Sequence, residues 1–252
     1  MFDKFIINRE IFVPTSDFER LKQKYSKEVI LTELNAAITN HSVMFPIRPP
    51  SLSEIDEDFE ELCGLDSSKL LIKADSVSTR YVNAEKMRNL VLDSCNLGNK
   101  ASNYFHWDAR MNCDSINSPS PMRVWAVPKF RASALSALFS LKHTVINEKT
   151  LSQCIVLRKY VASQFRPSAA KALYDRYAHE GDVLDMCSGW GDRLTGFLAS
   201  NAHSYTGYDV NLRLHEGYRQ QIKRFDTGKK AVVHWQPSEK ADLGSNRFDL
   251  AF

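Results

Sequence analysis

The amino-acid sequence predicts an α/β chain: a mainly helical region over residues 1–145, then the first four strands of a parallel sheet over residues 146–252. Three observations predict it. From Gly181 onward, short apolar runs alternate with polar stretches of helical length, the pattern of βαβ units. A glycine turn, Gly189-x-Gly191, stands between the first of these runs and the helix after it. Upstream, apolar residues recur at helical spacing, as at Ala132, Leu135, Leu138 and Phe139.

Composition sets the outer limits. The chain has 252 residues, 43% hydrophobic and 25% charged, which is ordinary for a globular protein with a real core. No apolar run approaches the roughly 18 residues of a membrane span, and the N-terminus lacks a basic-then-apolar leader. The five cysteines are scattered without a C-x-x-C pair, and the seven histidines have no ligand spacing. Free thiols, a cytoplasmic location and no metal site are expected. The net charge of +3 is unevenly placed. Between Ile116 and Glu180 ten Lys and Arg face three acids, while Glu54 to Asp66 is acidic. Such a basic segment suits a phosphate backbone, and a solvated helix surface accounts for it equally well.

Each element follows from local chemistry. Thr15, Ser16 and Asp17 offer caps for a helix to about Lys27, with a second helix from there to about Thr39. Three prolines between His41 and Pro50 make that stretch a linker. Ser53 and the acids after it start a short helix that Gly64 ends. Asn83 to Ser94 reads as helical, whereas Asn96 to Pro121, rich in Asn, Ser and Pro, supports no regular element. Helical patterns cover Val127 to His143 and Lys149 to Ser163, and Pro167 opens a helix from Ser168 to Ala178. Strands are expected at Val183–Met186, Ser204–Tyr208, Ala231–Trp235 and Arg247–Phe252.

The glycine turn carries the chemistry. Glycine lets the chain reverse sharply and lets a ligand approach the main chain, and the helix after Gly191 offers free N–H groups. Eighteen residues after Gly191, Asp209 ends the next strand, where an acid can take both hydroxyls of a ribose. A nucleotide-like cofactor is expected. Leu194 replaces the third small residue of the dinucleotide fingerprint, and the first strand ends in Asp185, an acid suited to an amino-acid ammonium group. Both features favour S-adenosylmethionine over a nicotinamide dinucleotide.

The segments Phe165-Arg-Pro-Ser-Ala-Ala-Lys171, Val183 to Gly191 and Tyr205 to Asn211 resemble the S-adenosylmethionine-binding part of DNA amino-methyltransferases, the adenine-N6 or cytosine-N4 enzymes of phage type. The resemblance covers roughly Gln164 to Phe252 and implies a Rossmann-like methyltransferase sheet. It implies that Phe165, Arg166 and Pro167 close over the methionine end of the cofactor. Asp185, Cys187, Gly189, Trp190 and Gly191 match the glycine motif, Asp209 the ribose acid, and Val210 the neighbour of the adenine. Ser238, within Gln236 to Glu239, matches the polar contact to the adenine amine. DNA is the implied partner. Taken without the resemblance, Cys187 also reads as a small core residue, Trp190 as packing, Arg166 as an ion-pair partner of an acid in the helix after it, and Asp192 and Arg193 as residues that cap and decorate the helix after the turn.

In that family the fourth strand leads into a Pro-Pro-aromatic loop that binds the target amine of a flipped base. Here the sequence stops at Phe252, and its one Pro-Pro pair, Pro49–Pro50, stands elsewhere, so no catalytic residue is assigned. Three expectations compete: a longer or split enzyme completed by a second polypeptide, a decayed gene product, or a relative that retains cofactor binding only. Two other functions remain open at this point, a non-catalytic DNA- or protein-binding module and a methyltransferase acting on RNA or a small molecule. With the usual strand order, the first strand lies beside the fourth and the fourth is an edge.

Overall fold

A computed structural model describes residues 1–73, 90–141, 145–245 and 247–252. The chain divides into two compact units, residues 1–48 with 110–162, and residues 49–109 with 163–252. This differs from a cut at residue 145. The helix Glu148–Arg158 buries Leu151, Cys154 and Ile155 in the first core, whereas Ile55, Phe59 and Leu62 belong to the core of the sheet.

In chain order the strands are β1 (Ile6–Ile7), β2 (Glu10–Ile11), β3 (Leu71–Lys73), β4 (Leu90–Leu92), β5 (Asp182–Asp185), β6 (Ser204–Tyr208), β7 (Lys230–His234) and β8 (Leu250–Ala251). The helices are α1 (Thr15–Lys24), α2 (Lys27–Asn40), α3 (Leu52–Gly64), α4 (Asn99–Met111), α5 (Pro121–Ala126), α6 (Pro128–Leu135), α7 (Glu148–Arg158), α8 (Pro167–Tyr177), α9 (Asp192–Leu198) and α10 (Leu212–Arg224).

The first unit is helical around Phe18, Ile30, Leu34, Leu135 and Ile155. Pro14, not Thr15, stands at the start of α1, and Ser26 caps α2 by accepting the Val29 N–H. The β1–β2 hairpin turns through Asn8 and Arg9, with φ of 51° and 65°, the left-handed pair of a type I′ turn. Arg131 is a buried cation: it donates to the Asn35 and Trp125 carbonyls and to Asn35 Oδ1, and burial lowers its pKa. The basic segment is therefore less exposed than its composition implies.

The second unit holds a parallel sheet in the order β7-β6-β5-β8, so the first strand of the sheet does lie beside the fourth. Such an order is compatible with a Rossmann-like fold. Val183, Tyr205, Ala231 and Leu250 share a rung and face the core with Tyr174, Phe197 and Tyr218. Helix α3 starts from a capping box between Ser51 and Glu54, two residues earlier than the sequence implies. Two further expectations are corrected. Leu90–Leu92 is a strand paired antiparallel with Leu71–Lys73, Asp93 and Ser94 belong to no regular element, and residues 83–89 of the expected helix lie outside the described residues. Asn99–Met111, expected to be irregular, is a helix. Among the described residues no helix is long and apolar enough to cross a membrane, and no group of His, Cys, Asp or Glu is placed to hold a metal.

Candidate functional site

Strand β5 delivers Asp185 to the C-terminal end of the sheet, and the chain then turns twice through left-handed glycines, Gly189 at φ 60° and Gly191 at φ 74°. A Cβ on Gly189 would meet only the Cys187 carbonyl, at 3.8 Å, so the space above it is open. A Cβ on Gly191 would fall 2.5 Å from Gln221 Oε1 and 2.6 Å from His106 Nε2. The first glycine leaves room for an approaching group, and the second lets the turn pack against the helices behind it.

Asp209, at the end of β6, closes the site from the other side. Gly189 N–H donates to its Oδ2 at 2.8 Å and Asn211 N–H to its Oδ1 at 2.8 Å. Each carboxylate oxygen keeps lone-pair capacity for a ligand hydroxyl. The ends of β5, β6 and β7 also present exposed apolar side chains: Met186, Val210 at 63% and Trp235 at 61%. The Trp235 indole is anchored rather than loose, since its Nε1 donates to the Val210 carbonyl at 3.1 Å.

Asp185 is wholly buried and fully engaged. Its carboxylate takes Arg193 Nε at 2.8 Å, Arg193 Nη2 at 3.0 Å, the Tyr205 hydroxyl at 2.6 Å and the Cys187 N–H at 3.1 Å. A cofactor ammonium would meet this carboxylate only after the ion pair opened. Burial is the largest single influence on Arg193 and works against its charge, yet the hydrogen bonds to Asp185, the Asp185 charge and the neighbouring Tyr205 and Tyr174 together outweigh it and raise its pKa. Burial, reinforced by Asp185, pushes the Tyr205 phenol far up.

No family model, curated protein or solved structure matches the chain. The functional reading therefore rests on this geometry and on the motifs themselves.

Of the residues expected at the site, Asp185, Cys187, Gly189, Trp190, Gly191 and Asp209 come together with Val210 beside them. Trp190 is half-buried against the core of the sheet. Cys187 is exposed, which removes its reading as a core residue, because the turn carries it out of the sheet. Phe165 reaches the turn through Arg193, whose guanidinium lies 5.6 Å from its ring. Pro167 is buried at the first position of α8. Arg166 is exposed and makes no ion pair among the described residues, and Ser238 sits in a short 3-10 turn without a side-chain hydrogen bond among them.

A supporting layer escaped sequence reading. Ser102 of α4 and Gln164 both donate to Asp192 Oδ1 at 2.5 Å, and Gln221 Nε2 donates to the Gly191 carbonyl at 2.8 Å. The Tyr218 hydroxyl donates to the Gly189 carbonyl. Asp192 and Arg193 are thus structural parts of the turn, not surface decoration.

Proposed function

We propose that the second unit binds S-adenosylmethionine as the cofactor-binding portion of a DNA amino-methyltransferase acting on adenine N6 or cytosine N4. One observation carries the reading: the hydrogen bond that joins Gly189 of the glycine turn to Asp209 at the end of the next strand. It sets an acid suited to ribose hydroxyls against a stretch of main chain that a ligand can approach, at the carboxyl ends of parallel strands. Val210 and the anchored Trp235 supply an apolar edge for an adenine ring. Phe165 and Arg193 hold the opposite end of the turn.

The donor set fits the ribose and the base better than the amino-acid end, because Asp185 is occupied by Arg193. Bound there, S-adenosylmethionine would supply an activated methyl group. The chain's own part is to fix the cofactor's orientation through Gly189 and Asp209.

DNA enters the reading through charge. The first unit carries fifteen Lys and Arg against eight Asp and Glu, while the second carries eighteen against twenty-two. A positive unit joined to a cofactor unit is what a phosphate-backbone substrate requires.

Calorimetric titration of the chain with S-adenosylmethionine tests the proposal, with Asp209→Ala as control. Saturable binding by the parent that the folded variant loses supports it. Equal binding by both, or no binding by a folded parent, overturns it.

A further inference from the structure

The first unit has a cleft of about 520 Å³ between the β1–β2 hairpin, the 43–48 segment and the start of α7. Three phenyl rings line it: Phe5, Phe12 and Phe45. Phe12 is 58% exposed although Ile11 and Val13 on either side are buried, so the fold makes little use of its ring. Arg48, also lining the cleft, uses one nitrogen, Nη2, for both Glu10 at 2.6 Å and Glu148 at 2.9 Å. The second oxygens of both glutamates and the other Arg48 nitrogens have no partner among the described residues.

Flat apolar walls with donors and acceptors together match one kind of ligand well. A heteroaromatic base stacks on phenyl rings, gives its exocyclic amine to a carboxylate and takes an N–H from arginine at a carbonyl or ring nitrogen. An acyl chain would leave the charged groups unused, and a simple anion would meet Glu10 and Glu148. Lys4 and Arg9 line the same cleft, and the unit's positive balance favours a ligand that carries phosphates.

We propose that this cleft holds an unpaired, amine-bearing base of a nucleic-acid strand. The inference rests on the nucleic-acid part of the reading above and is independent of its cofactor part. The full chain would be mixed with a single-stranded oligodeoxynucleotide of about 12 nucleotides carrying 5-iodocytosine, irradiated, and mapped by mass spectrometry. Binding would be followed by fluorescence anisotropy across a salt series. The expected result is cross-linking at Phe5, Phe12 or Phe45, with less at 5-iodouracil, which lacks the amine. Phe12→Ala, at an exposed position, should weaken oligonucleotide binding by roughly tenfold and leave S-adenosylmethionine affinity unchanged. Salt-sensitive binding with cross-links only outside the cleft overturns the inference and spares the nucleic-acid reading. No oligonucleotide binding at low salt overturns both, and the cofactor titration still stands by itself.

Discussion

Arg193 grips Asp185 through two parallel hydrogen bonds, Nε to Oδ2 at 2.8 Å and Nη2 to Oδ1 at 3.0 Å, at a carboxylate with no solvent access. The same guanidinium donates to the Cys187 carbonyl and lies against the rings of Phe165 and Phe252. One side chain thus ties the end of β5 and the turn to the segment before α8. Removing it leaves a buried carboxylate unpaired, and breaking such a pair costs about 3–5 kcal/mol. Arg193→Ala should lose that much in urea denaturation, and Arg193→Lys should recover only part, because an ammonium cannot reproduce the fork. A near-parental midpoint for Arg193→Ala would contradict the geometry.

The two glycines of the turn should respond differently to alanine. At Gly189 a methyl group enters open space, so the cost is that of the left-handed backbone, about 1–2 kcal/mol. At Gly191 the methyl group meets Gln221 and His106, which adds overpacking of about 1–3 kcal/mol to the same penalty. Thermal unfolding of the pair should therefore rank Gly191→Ala below Gly189→Ala. Under the proposed function, Gly189→Ala should also weaken S-adenosylmethionine binding by obstructing the approach to the turn. Equal stabilities would refute the packing described behind Gly191.

Cys187 is exposed but should be a sluggish nucleophile. Burial of its sulfur pushes the thiol pKa up, the carboxylates of Asp209 and Asp185 push it further, and Arg193 only partly opposes them. The thiolate is the reactive form, so a raised pKa lowers the rate at neutral pH and moves the rise to more alkaline solution. Iodoacetamide labelling of Cys187, followed by mass spectrometry across pH, should show its midpoint above that of a free cysteine peptide. A midpoint at or below the peptide value would count against the turn's negative surroundings.

The sheet and its turn were legible because their physics is local. A buried strand reads as a run of apolar residues, a left-handed turn reads as glycine, and Ser204–Tyr208 lies where those cues placed it. Helix α4 was not legible because polar Ser102 and His106 are buried in it beside Ala101, with His106 against Gly191 and Gly217, and the Asn- and Ser-rich composition of the stretch reads as loop. Strand β4 was missed for another reason. Its partner, Leu71–Lys73, lies about twenty residues upstream, and no local pattern announces that pairing. The roles of Asp192 and Arg193 were hidden similarly, since their partners come from Ser102, Gln164 and Asp185.

The layer behind the turn makes the last prediction. Ser102 is fully buried, its Oγ donates to Asp192 Oδ1 at 2.5 Å, and Gln164 Nε2 reaches both groups. Asp192 opens α9 directly after Gly191, so a loss here acts on the turn through the helix that follows it. Removing a hydrogen bond to a buried carboxylate costs about 1.5–3 kcal/mol, so Ser102→Ala should lose that much in urea denaturation. Ser152→Ala provides the contrast, because among the described residues that half-exposed hydroxyl bonds only the Lys149 carbonyl of its own helix and its loss should stay within about 0.5 kcal/mol. If the two variants lose the same amount, α4 does not brace the turn, and the candidate site would rest on the sheet and Arg193 alone.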